Sequence, residues 1–351
     1  MVAPSRTGTP GVRQRVALTW RSRAVSGARL SPSRVIVLVA GAAVACAAVW
    51  TLGRELAAVS PRDLSLAVSQ ISATSLVLAG LLTAASYLVL TEYEQLAFQH
   101  AGVSQSRWKV AFVSFVGHAF ANTVGVPLLT GSAVRYRYYA RWHLSRRQIA
   151  GIVAFYSGTF WLGLLVFGGW GLWRAPVTVL PDGLSTEVHT LGALLASSSF
   201  LYLLASAFGP RLRIGRREYA IPGWRMATAQ YLLSMLDWLL SAGVFWVLLP
   251  DPAPPFAQVS LAFVVAQLFG VASHLPGGIG AFEVGMAAQL KDSVGVGPLL
   301  ATLVAFRSVY YLAPLVAATL AVAADEYRRR RSARGHSAGH DRLPRDGVAS
   351  V

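Results

Sequence analysis

The sequence predicts an all-α polytopic membrane protein, with about six full spans and two broken-helix, re-entrant hairpins arranged as an inverted repeat. Three observations lead there. The 351 residues are 54% hydrophobic and only 13% charged, well below the charge of a soluble chain of this length. Of the 31 lysines and arginines, 26 fall in residues 1–34, 99–109, 135–147, 209–225 and 325–346, and long apolar runs separate these segments. Basic loops of that kind stay with the anionic cytoplasmic leaflet, so the net charge of +16 argues for a membrane and against nucleic acid as partner. Finally, the apolar stretches 110–134 and 258–297 are interrupted by proline, glycine and charge, which at membrane depth must face protein or water.

Taken in order, residues 1–34 carry seven arginines and no acid, and read as a disordered basic cytoplasmic tail. Val35–Leu52 is long enough to span at about 1.5 Å per residue, which argues against a signal peptide. After the external loop Glu55–Ser72, Ala73–Phe98 returns inward and carries Glu92 and Glu94 near its end. Both flanks of 110–134 are basic, so a hairpin entering from the cytoplasm fits better than one crossing. Gln148–Trp173 then crosses outward, Val188–Phe208 returns, and Gly209–Arg225 is a cytoplasmic loop. Met226–Leu249 crosses outward with Asp237 in its middle. Pro298–Ala323 leads to a basic tail and must finish inside, so 258–297 starts and ends outside as a second hairpin of opposite orientation. The domain reading is one transmembrane domain over 35–325, with repeat 1 at 73–208 and repeat 2 at 226–323, followed by a disordered cytoplasmic tail at 326–351. Cys46 stands alone, which excludes a disulfide framework and a cysteine-based metal site. The strong preference for arginine over lysine, with abundant alanine and glycine, suggests a GC-rich bacterial source.

The candidate site lies in the two interrupted stretches. Pro276, Gly277, Gly278 and Gly280 cannot continue a straight helix, and Glu283 follows them among apolar neighbours. This motif can be laid on Pro127 to Arg135, which includes Gly131 and Ser132, with one gap. Downstream, Ile152–Ser157 answers Leu303–Ser308, the latter containing Arg307. Inverted repeats with broken helices hold their substrate at the repeat interface. Arg135 and Glu283 would occupy equivalent tips and are expected to pair, either at a substrate site or as a lock between the halves. Arg135 and Arg137 are the candidate anion-binding residues, and Glu283 and Asp237 the candidates to face a cationic group. The glycines are expected to admit close backbone approach and leave N–H groups free for an anion. His118 and His274 read as hydrogen-bonded packing residues. No nucleotide-binding motif or nucleophile–base pairing stands out, and no metal or cofactor is expected.

Three motifs together resemble the transmembrane region of the lysylphosphatidylglycerol synthase family. They are Tyr93-Glu94, where the family usually has Asp, then Gly131-Ser132-Ala133-Val134-Arg135 continuing to Tyr139 and Leu144-Ser145, and Pro276-Gly277-Gly278-Ile279-Gly280 ending in Glu283. The resemblance covers roughly residues 35–325. It implies flippase-like translocation of a phospholipid or lipid-linked substrate across the bacterial cytoplasmic membrane, with both termini cytoplasmic. Full-length enzymes of the family continue into a soluble lysyl-transfer domain; here a short arginine tail follows, so no enzymatic activity is expected. Membrane lipids are the implied partners, with a homo-oligomer or a separate lipid-modifying enzyme as further possibilities. The alternatives are a secondary transporter of an ion or small solute, and a polyprenyl pyrophosphate phosphatase, whose Ser-Arg is missing after Pro276.

Overall fold

The computed structural model describes residues 62, 66, 68–123, 127–174, 185–208, 211–214, 217–220, 222–272 and 276–340. The basic tail 1–34, the predicted span Val35–Leu52, His274 and the residues beyond 340 lie outside the described residues. Helix α1, Ala73–His100, starts at Ser72, whose hydroxyl accepts the Ser75 N–H. Helices α2 (Arg107–Thr123) and α3 (Pro127–Arg141) form a hairpin. Ser145 then opens α4 (Arg146–Gly163) through a reciprocal capping box with Gln148. That helix continues through a π turn, Leu164–Gly168, into α5, Gly169–Trp173. Helix α6, Ser185–Ala207, follows.

The predicted cytoplasmic loop contains a two-stranded antiparallel hairpin, β1 Arg211–Ile214 and β2 Arg217–Ala220, with Arg211 opposite Ala220. It is the one departure from an all-helical fold among the described residues. Helix α7 runs over Trp224–Trp246. Helix α8 (Phe256–Ala272), a 3-10 turn at Pro276–Gly278 and α9 (Ala281–Val294) make a second hairpin. Helix α10 (Val296–Phe306) passes through a π turn, Arg307–Leu312, into α11, Ala313–His340.

Four helical rods are long and apolar enough to cross a membrane: Ala73–His100, Arg146–Trp173, Ser185–Ala207 and Val296–Arg329. Helix α7 has the length, 23 residues, but Gln230, Ser234, Asp237 and Ser241 along it are polar and buried. Of the six predicted spans, four thus meet both criteria within the described residues. The order of long helix, hairpin of two shorter helices and interrupted long helix occurs twice, with hairpin arms of 17 and 15 residues and then 17 and 14.

The packing follows from where small and aromatic residues fall. Helix α1 lies extensively against α7. Phe306 sits at the centre of an aromatic cluster, with the rings of Phe245, Phe263, Phe282, Tyr310 and Tyr311 at 5.3 to 5.8 Å. Helices α5 and α6 meet backbone to backbone: a Cβ on Gly192 would stand 2.3 Å from the Trp173 nitrogen. Helix α6 turns Leu191, Leu194, Phe200 and Leu201 outward, as a lipid-facing helix does. Helix α11 runs on to His340, past the predicted end of the last span at Ala323. Asp325 pairs with Arg329 one turn on and accepts from Tyr138, while Glu326 accepts from Arg137, so these charges extend and anchor the helix.

Candidate functional site

A cavity of about 350 Å³ lies where α1, α4 and α7 meet both hairpins and the second π turn. Arg135, His118 and Asn122 line it from the first hairpin, Gly270, Gly277 and Gly278 from the second, and Asp237, Trp238 and Tyr310 from α7 and the π turn. The hairpin tips touch. A Cβ on Gly277 would lie 3.3 Å from the carbonyl oxygens of both Asn122 and Thr123, and Gly277 adopts a positive φ of 61°.

Arg135 and Tyr139 are four apart on α3 and share one face, which meets Glu94 on α1. The Arg135 Nε donates to Glu94 Oε1 at 2.6 Å and Nη2 to Oε2 at 2.8 Å, a two-point pairing of two fully buried side chains. The Tyr139 hydroxyl donates to the same Oε1. The guanidinium lies over the Tyr156 ring, 4.2 Å from its centroid. Glycines make room for it: a Cβ on Gly117 or Gly131 would come within 2.7 or 2.9 Å of Arg135 Nη1. His118 Nδ1 lies 2.9 Å from the Ser114 carbonyl, and Arg135 Nη2 lies 3.0 Å from Nδ1 and 3.2 Å from Nε2, so the ring sits between the Ser114 backbone and the guanidinium. Arg135 Nη1 is buried and has no hydrogen-bond partner among the described residues. The same holds for Trp238 Nε1 in the same cavity wall.

Asp237 sits in a different setting. Ser86 donates to its Oδ1 at 2.8 Å and Tyr93 to its Oδ2 at 3.3 Å, both from α1. The Ser86 hydroxyl also meets that of Tyr310 at 2.9 Å, and Tyr310 meets Ser241 at 2.7 Å. Ser86 and Tyr93 are seven apart, two turns along one helix face.

The expected pairing of Arg135 with Glu283 is corrected by the structure. Each charge finds its partner on its own side, because Glu94 packs beneath α3 and Arg307 opposite the first turn of α9. Glu283 Oε1 accepts from Arg307 Nε at 2.7 Å, and Oε2 from the Gly280 N–H at 2.7 Å, so this glycine N–H is occupied. Arg307 Nη1 donates to the Gly277 carbonyl at 2.7 Å, fastening the broken-helix tip to the π turn. Glu94, Glu283 and Arg307 therefore stand behind the cavity wall. Arg137 is exposed and pairs with Glu326, and Ser132 is half-buried outside the lining. Pro276 opens the 3-10 turn.

Ser86, Trp238, Tyr310 and Ser241 were not expected from the sequence, His118 was expected only as a hydrogen-bonded packing residue, and Tyr93 only as part of the Tyr93-Glu94 motif. The available signal was spacing: His118 and Asn122 four apart on α2, and Ser241 four beyond Asp237 on α7.

Residues 37–318 match the family described as the lysylphosphatidylglycerol synthase transmembrane region. An uncharacterized protein of Synechocystis is 34% identical over 264 residues, covering 73% of this chain and 81% of that one. The inner membrane protein YbhN of Escherichia coli is 31% identical over 245 residues, 68% and 76% of the two chains. A phosphatidylglycerol lysyltransferase of Staphylococcus aureus is 25% identical over 277 residues, 78% of this chain and 32% of the lysyltransferase.

Proposed function

The chain belongs to the lysylphosphatidylglycerol synthase transmembrane region family, and we propose that it translocates a phospholipid or lipid-linked substrate across the bacterial cytoplasmic membrane, holding the headgroup in the cavity between the hairpins. The observation that carries this reading is Arg135, a fully buried guanidinium in the cavity wall whose Nη1 has no partner among the described residues. A buried N–H without an acceptor costs about 1–3 kcal/mol, more on a charged group, and a phosphate oxygen would relieve it. Trp238 Nε1 offers a second, neutral donor to the same ligand. The Staphylococcus relative is named for phosphatidylglycerol, whose phosphate is such an acceptor. At about 350 Å³ the cavity stands near the lower end of roughly 300–1,000 Å³ for small-molecule sites. That suits a headgroup whose acyl chains stay in the bilayer.

The second part of the proposal is the architecture. Hairpin arms of 14 to 17 residues are about 21 to 26 Å long, short of a hydrocarbon core of about 30 Å, which supports re-entrance. The repeated element order and the meeting of the two tips support an inverted repeat whose halves rock about the cavity.

The test uses proteoliposomes carrying fluorescent anionic, zwitterionic and lysyl-modified phospholipids, with dithionite accessibility as readout. Wild type is expected to expose inner-leaflet anionic probe at least tenfold faster than empty liposomes. Trp238→Phe, which keeps the aromatic packing and removes one donor, is expected to slow it severalfold, and Arg135→Lys to abolish it. Translocation indifferent to both substitutions would remove the site. No movement of any probe by folded protein would turn the reading towards a small-solute transporter.

A further inference from the structure

The cavity wall holds two ionisable centres built on opposite principles. Around Glu94 and Arg135 the charges neutralise each other. Asp237, 6% exposed, has no arginine, lysine or histidine within pairing distance among the described residues. The groups facing it are hydroxyls: Ser86, Tyr93 and, one bond further, Tyr310 with Tyr87 beside it, joined by Ser241 on its own helix. The charged and basic side chains lining the same cavity, Arg135 and His118, are engaged with Glu94, Ser114 and each other.

An uncompensated carboxylate at membrane depth is costly, and by default marks function. The hydroxyl shell suits both protonation states. A hydroxyl donates to a carboxylate, and on rotation accepts from a carboxylic acid, whereas the Arg135 guanidinium that pairs with Glu94 beside the Tyr139 hydroxyl can only donate. A headgroup ammonium would have to fit beside Ser86 and Tyr93, which already donate to one carboxyl oxygen each, whereas a proton needs no space. We propose that Asp237 is a proton-binding site that couples translocation to the proton gradient. The inference rests on the reading of the cavity as a phosphate site. A phosphate and an ionised Asp237 in one cavity of about 350 Å³ repel each other, so an anionic headgroup is bound best when Asp237 is protonated. By linkage, proton and anion bind cooperatively, and an inward-facing cavity releases both together.

Infrared titration of the protein in liposomes tests the site independently of transport. Over the range in which exposed carboxyls are already ionised, roughly above pH 5, wild type is expected to show a protonated-carboxyl C=O stretch that disappears as pH rises. Asp237→Asn should lack it. Asp237→Glu, the same group one methylene further out, should shift its frequency, which keeps the assignment testable if the asparagine variant does not fold. A band absent from wild type, or unaltered in both variants, overturns the proposal. In a second arm, the rates for phosphatidylglycerol and lysyl-modified phospholipid probes under an imposed pH gradient are compared with the rates without one. Wild type is expected to respond at least threefold and Asp237→Asn not at all. An equal response in both, or dependence on a cationic headgroup instead of the gradient, also overturns it. Should no lipid move, the titration still decides the proton site, so the two readings fail separately.

Discussion

Glu94 and Arg135 are fully buried, and the energy of each depends on the other. Removing one partner of such a pair strands a charge, at a cost of about 3–5 kcal/mol, whereas replacing both by apolar groups of similar size is often neutral. Arg135→Met or Glu94→Leu alone is therefore expected to lower the melting temperature in detergent sharply, and the double substitution to recover most of the loss. Additive losses would show that the two side chains act apart. The double variant should stay folded and translocate nothing, which separates stability from function. The presence of these charges was legible in the sequence, since acids and arginines inside apolar runs are expensive and must be satisfied. Their pairing was not. Equivalent positions in two repeats suggested Arg135 with Glu283, but a side chain pairs with what packs against its helix. That depends on the angle at which α3 crosses α1, not on spacing along the chain. His118 and Trp238 were illegible for another reason: in an apolar helix each reads as ordinary packing until an orphaned donor or a shared acceptor is seen.

Among the elements, the 3-10 turn at Pro276–Gly278 was the most legible, because proline and glycine in a run of hydrophobic residues have few other meanings. Its fastening was hidden, since Arg307 belongs to a π turn that no local pattern announces. Gly278 is the sharpest test of the tip. It has φ +62°, and a Cβ there would lie 2.8 Å from the Cα of Gly270, backbone against backbone. Gly278→Ala is expected to cost about 1–3 kcal/mol in backbone strain and to push the turn from α8, slowing translocation at least tenfold. Gly297→Ala is the control, because a Cβ at that position meets nothing within 4 Å. Equal effects of the two substitutions would mean that the close approach at the tip is irrelevant to activity.

On the scale of the whole molecule, the inverted repeat stands or falls with the sidedness of the hairpins. If the first is re-entrant, Ser104 before α2 and Arg147 at the start of α4 lie on one side of the membrane; if it crosses once, they lie on opposite sides. The same holds for Asp251 and Asp292 around the second hairpin. All four are exposed, and Cys46 is the single native cysteine, so a Cys46→Ser background permits labelling at one introduced cysteine at a time. With a membrane-impermeant maleimide on intact spheroplasts, cysteines at 251 and 292 are expected to label, and those at 104 and 147 only after permeabilisation. Opposite sidedness within either pair would remove that hairpin's re-entrance and, with it, the equivalence of the two halves. The cavity would remain, since its walls are set by packing, but rocking of one repeat against the other would no longer explain how it opens to each face. Agreement within both pairs, on opposite faces, would place the two touching tips at the middle of the bilayer. There, an arginine with a donor unpaired and a carboxylate with no cation beside it among the described residues have the longest path from water and the most to gain from an anion and a proton.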